Sequence, residues 1–218
     1  MELIKQGITP PIEEHKANQI KLEKERIAFS NFKSLTKTIE KDHKKHYNYL
    51  VSLLNFNSIN ELTTKLHLLY RGSEHNFDAP KFHQLCDGKG KTLVIVRAKT
   101  TKNLFGGYST VAWHSNQSYS PAPGSFLFSL DKETKHTIIQ NNQQYAIRGY
   151  PNYGPIFGAG NDLLLSHNCH TNTTSNTNFG HTYSLPPNIS YNTIESKSYL
   201  SGSNLHFSVE EYEVFLVD

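Results

Sequence analysis

The stretch TLVIVRA, Thr92 to Ala98, is apolar on nearly every consecutive residue. A strand of that kind has to be covered on both faces, so it predicts the centre of a sheet with material packed above and below. The segments STVAW, FLFSL, HTIIQ, QYAIR, DLLLSH and HFSVEEYEVFLV follow, short, β-branched or aromatic, and separated by Gly, Pro, Asn and Ser. That pattern predicts an all-β sandwich or barrel. In FLFSL, Phe126, Phe128 and Leu130 fall on one face and Leu127 and Ser129 on the other. The last segment changes phase, Phe207 and Val209 being followed by Tyr212, Val214 and Leu216, so one extra residue near Glu210, a β-bulge, is expected.

Helices precede the strands. From Glu13 to Leu50 the chain has no Gly or Pro and carries Ile20, Ile27, Phe32, Leu35, Ile39 and Leu50 mostly at helical intervals. This predicts one or two helices with a thin stripe, interrupted by His43 and His46, that must lean on the body or on another protein. Ser58 and Glu61 fit a capping box, with Ile59, Leu62, Leu66 and Leu69 as one helical face. Asp78 as N-cap, Pro80 in the first turn, Phe82, Leu85 and Cys86 on one side and Gly88 as the stop mark another helix. The sequence DGKGKTLVIV, Asp87 to Val96, then reads as a helix-to-strand corner. Gly90, Lys91 and Thr92 end like a P-loop, but Leu85 stands where its first glycine belongs and no helix follows. The expected organisation is a polar helical extension over residues 1–50 and a mainly β domain over 51–218.

Charge narrows the function classes. The formal net charge is +3; residues 1–50 hold ten Lys/Arg and seven Asp/Glu, which leaves twelve of each (22 − 10 and 19 − 7) for the remainder. A neutral body argues against a nucleic-acid partner, which needs clustered cations. Two cysteines, no apolar core in the opening MELIKQGITPP and no run of about 18 apolar residues predict a soluble cytoplasmic protein with no direct membrane insertion. Association with organelle membranes or the cytoskeleton would then run through a protein partner.

Several groups of residues invite a chemical reading. His167, Cys169 and His170 are metal-competent but lack a second ligand pair, so no metal is expected. Cys86 lies near His83 but at a helix C-terminus, where the dipole disfavours a thiolate, and reads as a core thiol. Glu210, Glu211 and Glu213 offer paired carboxylates, with Glu211 and Glu213 sharing a strand face, which a solvated face explains equally well. Gly106 and Gly107, and Gly154, Gly158 and Gly160, read as paired turns at one end of a sandwich with Asp162 exposed beside them, and no dinucleotide cofactor is expected. Trp113, Tyr108, Tyr119 and Tyr150 read as core and rim aromatics. No serine lies in a G-x-S-x-G elbow.

The motifs LLYRGSEHNFDAPKFHQLCDGKGKTLVIVRA, LFGGYSTVAW, FLFSL, YGPIFGAGNDLLL, NFGHTYSLP and YLSGSNLHFSVEEYEVFLV, in that order, resemble the TLDc domain family. The resemblance covers about Val51 to Asp218 and is nearest to the single-domain members of protists. Two places depart from it: His75 and Asn76 stand where an acidic residue and glycine are common, and the polar segment after Asp162 is long. The resemblance implies a two-sheet antiparallel β-sandwich with short helices. It further implies a noncatalytic interaction domain that protects against oxidative stress and binds and regulates the V-ATPase, without cofactor. On that reading Asp87, Asp162 and Glu213 are the candidate partner contacts, and Gly106, Gly107, Gly158 and Gly160 shape the turns. Two other readings stand beside it. Residues 1–50 could tether the domain to a cytoskeletal or ciliary lattice, or Cys86 or the late glutamates could serve a thiol-dependent antioxidant enzyme.

Overall fold

A computed structural model describes residues 12–39 and 44–218; the opening segment, His43 and the Phe32 side chain lie outside the described residues. The chain begins with helices α1 (Ile12–Leu35), α2 (Lys44–Leu53) and α3 (Ile59–Lys65), then β1 (Leu66–Arg71) and α4 (Ala79–Cys86). The strands β2 (Thr92–Ala98), β3 (Leu104–Ser109), β4 (Tyr119–Ser120), β5 (Phe126–Ser129), β6 (Thr134–Thr137), β7 (Ile147–Arg148), β8 (Tyr153–Phe157), β9 (Leu163–Ser166) and β10 (Ser175–Asn176) follow. A short α5 (Ile194–Ser198) leads to β11 (His206–Phe207) and β12 (Val209–Val217).

The strands form two six-stranded sheets, β1-β12-β2-β3-β5-β6 and β11-β10-β9-β8-β7-β4. Every named strand pair in them is antiparallel. Strand β2 is central and fully buried, as its composition demands. Its even residues, Val94 and Val96, enter the core between the sheets with Phe105, Leu127, Phe157, Leu163 and Tyr212. Its odd residues, Leu93 and Ile95, enter a second core beneath the helices with Tyr47, Leu50, Leu62, Phe128 and Phe215. The molecule is therefore helices on sheet on sheet, and β5 splits its side chains between the two cores in the same alternation.

The helices are held unequally. Tyr47, Leu50 and Leu53 of α2 are buried, whereas residues 14–27 of α1 are exposed throughout and Ala28, which follows them, is buried. The boundary expected at residue 50 falls inside α2.

The corner after α4 forms as its residues dictate: Asp78 accepts from the Lys81 amide, and Gly88 and Gly90 take φ of 71° and 108°. The bulge is also present, as a register shift between Val209 and Glu211 against β2.

Four local expectations are corrected. Leu66 and Leu69 belong to β1 rather than α3, because Leu66 pairs with Val217 and cross-strand bonding takes over there. Glu61 reaches one residue further than a capping box requires, accepting from the backbone and side-chain nitrogens of Asn57 at 2.8 and 2.9 Å. STVAW leaves the sheet after Ser109, since the Trp113 indole turns into the core and donates to Thr92 Oγ1 at 2.9 Å. Gly106 and Gly107 form no turn; they sit mid-strand in β3 opposite Ile95 and Val94. A Cβ on Gly106 would strike the Val94 carbonyl and come within 2.8 Å of Phe128, and one on Gly107 would come within 2.6 Å of Phe157 in the facing sheet. Close approach, not turn geometry, requires these two glycines.

Candidate functional site

The bulge at Glu210 sets the phase of β12 so that Glu211 and Glu213 point to the helix side of the sheet with Phe215 and Val217. Strand register then places Arg71 of β1 directly opposite Glu213. The Arg71 Nε donates to Glu213 at 2.6 Å. The rest of the Glu213 carboxylate is taken by the segment that follows α1. The Lys37 amide donates at 2.9 Å, the Thr38 amide at 3.3 Å and the Thr38 hydroxyl at 2.6 Å, and the Thr36 hydroxyl donates as well. Five donors thus converge on one carboxylate, and only the arginine comes from the sandwich.

Arg71 completes the clamp. One terminal nitrogen donates to the Leu35 carbonyl at the end of α1 at 2.6 Å, and the other to Glu74 at 2.7 Å, which Lys37 Nζ also reaches at 3.0 Å. The bonds from Arg71 and Lys37 hold the Glu74 carboxyl below its ordinary range. Glu211 accepts from the Ser73 and Tyr212 amides, both at 3.0 Å. Burial pushes its pKa up, the Ser73 bond opposes this, and the Glu213 charge adds to it.

Glu213 has no exposed surface, and neither has Asp162. The expectation of exposed acidic contacts at these two positions is corrected, and the reason is the same: each carboxylate is saturated by its own chain. Asp162 Oδ1 accepts from the amides of Gly180, His181, Thr182 and Tyr183 at 2.8 to 3.2 Å, and Oδ2 from Thr182 at 3.0 Å. Burial nevertheless raises its pKa against those bonds. Gly158, at φ 81°, has the Asp162 carboxylate where a Cβ would be, and at Gly160 His181 occupies that place. These residues build one internal corner that holds the 180–183 segment.

Asp87 is the remaining acidic candidate, with its side chain 27 % exposed. Its Oδ1 meets His83 Nδ1 at 2.8 Å and its Oδ2 accepts from Ser115 Oγ at 2.6 Å. The other imidazole nitrogen faces the carbonyls of Tyr150 and Tyr153 at 3.0 Å each. Serine, aspartate and histidine are in contact here, but the order is wrong for a hydrolase, because the hydroxyl bonds the carboxylate and the imidazole nitrogen that should take its proton is occupied. The cluster ties α4 to two loops.

The TLDc domain model matches residues 41–218. The chain belongs to the TLDc domain family. No curated protein matches it. At the level of the family, a TLDc domain goes with a protein-interaction role connected with oxidative stress.

The other chemical candidates of this TLDc domain are scattered. Cys86 and Cys169 are fully buried, and burial pushes both thiols well above their ordinary range, opposite to what a reactive cysteine needs. His167 approaches Asp78 at 3.4 Å and His170 stacks on Phe77 at 4.4 Å, so the two imidazoles beside Cys169 have separate neighbours. No group of three metal-ligating side chains occurs among the described residues. Tyr119 and Tyr150 flank Arg148, whose guanidinium carbon lies 5.0 and 5.1 Å from their rings. No helix among the described residues is long and apolar enough to cross a membrane.

Sequence reasoning missed Arg71, Thr36 and Thr38. Arg71 stands in the quoted LLYR motif, and an arginine ending an apolar strand is a signal for a buried carboxylate partner. Nothing local marks the threonines.

Proposed function

We propose that this chain is a noncatalytic TLDc interaction domain that binds and regulates the V-ATPase from the cytoplasm and contributes in that way to oxidative-stress resistance. Membership of the TLDc family over residues 41–218 carries the reading. The geometry supports it in one respect: Asp162 and Glu213 are bonded to their own chain, and the thiols are buried and hard to ionise. The polar interior thus serves architecture and leaves contacts to the surface, where Asp87 and the loops it ties offer a partly exposed rim.

Affinity purification of the tagged full-length chain from native cells, followed by mass spectrometry, tests the partner. Recovery of pump subunits at physiological salt is the expected result. A reproducible absence of every pump subunit, with the bait folded and soluble, excludes it.

A further inference from the structure

Helix α1 overhangs the start of α3, and the side it turns there carries Ala17, Ile20, Lys24 and Ile27 at three- and four-residue intervals, one continuous stripe. Together with Ser58 and Asn60 this stripe bounds a groove of about 770 Å³. A second hollow of about 380 Å³ shares Glu25 and Ser58 with it and runs on to Lys44 and Val51 of α2. The two make one trough between helices. Its floor is apolar and uncovered, Ile20 being 57 % and Ile27 51 % exposed. Its rim is cationic: Lys21, Lys24 and Lys44 have no carboxylate partner among the described residues, against the single acid Glu25.

Resting on the reading of this chain as an interaction domain, we infer that the trough is a docking site for an acidic amphipathic helix of a partner protein. A helix fits because the walls are helices whose side chains form ridges at the spacing another helix interdigitates with. From residue 17 to 27 the stripe is roughly 15 Å long, enough for about three turns of a partner. Apolar side chains of the partner would cover Ile20 and Ile27, and its glutamates or aspartates would meet the three lysines. Docking would also stabilise residues 14–27 of α1, which gain little from tertiary burial in the free chain.

The test uses the full-length chain and a labelled synthetic helix with leucines at three- and four-residue intervals and flanking glutamates. The same peptide with lysines for glutamates, and poly-glutamate, are the controls. Fluorescence anisotropy should show binding of the acidic peptide alone, with slowed amide exchange over residues 17–27. The exposed pair Ile20→Ser and Ile27→Ser should weaken binding roughly tenfold or more. Charge reversal at Lys21, Lys24 and Lys44 should do the same. No binding, poly-glutamate binding as well as the peptide, or affinity indifferent to the isoleucine substitutions would each overturn the inference. So would binding that appears only in a variant lacking residues 2–11, since the chain's own first residues would then be the occupant. If the peptide fails while pump subunits are still recovered, only the trough is refuted; if the peptide docks and no pump subunit is recovered, only the V-ATPase assignment is.

Discussion

At Glu213, five donors converge on a side chain with no exposed surface, so substituting it leaves the partners stranded rather than merely unpaired. Glu213→Gln keeps the shape but leaves the buried Arg71 guanidinium with only the half-exposed Glu74 as counter-charge, and should cost about 3 kcal/mol in denaturant unfolding, the low end for breaking a buried pair. Replacing Arg71 by Met at the same time should cost less than the sum of the two single changes, because each removes the other's stranded charge. Asp162→Asn turns an amide donor toward backbone N–H groups and should cost about 2–4 kcal/mol. His136 gives a pH signature. It is buried, Nδ1 meets the Ser184 carbonyl at 2.9 Å, and burial lowers its pKa from 6.5 to about 4. The unfolded chain therefore takes up a proton before the folded one does. Stability that is complete above pH 6.5 should decline as pH falls toward about 4, by up to about 3 kcal/mol. Asp162 and Glu211, whose pKa values burial raises, act the other way, since their contribution is lost as pH rises through the folded pKa. The difference in stability between wild type and His136→Asn, followed across that range, isolates the histidine. Beyond the arginine that ends LLYR, these roles were not legible in the residues alone: EEYEV looks the same whether it faces water or Arg71, and only the fold supplies Thr36 and Thr38.

At the scale of elements, what alternation and composition can express was legible. The burial of β2 on both faces, the two faces of β5, the α4 caps and the bulge in β12 all follow from local residue order. Gly106 and Gly107 were misread for a physical reason. A Gly-Gly pair is as good a turn as a close approach, and the atoms that decide, in Phe128 and Phe157, come from later strands. Gly107→Ala should therefore destabilise by about 1–3 kcal/mol through overpacking against Phe157. Gly106→Ala, which meets the backbone of β2 rather than a movable side chain, should cost more. Thermal unfolding of the two variants checks the order. The bulge carries a sharper expectation. Deleting Glu210, the unpaired extra residue, would leave Val209 and Glu211 adjacent opposite Ala98 and Arg97 and keep Glu211 and Glu213 on the helix side, so the variant should still fold cooperatively, having lost the Lys102–Glu210 ion pair; loss of cooperative folding would contradict this register.

At the scale of the whole molecule, the helical layer is part of the domain's construction. The segment 36–39 and α2 cover the outer core of the first sheet, and Glu213 and Arg71 fasten the end of α1 to it, while most of α1 stands in solvent. That division was half visible in the sequence, where the thin stripe said the helices must lean on something, but the clamp that holds them was not. A long, largely exposed helix fastened near its C-terminal end to a TLDc sandwich suits the family's protein-interaction role. The most direct measurement is therefore association of the purified full-length chain with the purified cytosolic sector of the V-ATPase, by co-sedimentation with ATP hydrolysis followed in parallel. The expected result is a saturable complex and a change in hydrolysis or assembly of the pump, unaffected by Cys86→Ser and Cys169→Ser. No complex at concentrations well above those in the cell, with the chain folded by thermal unfolding, would contradict it.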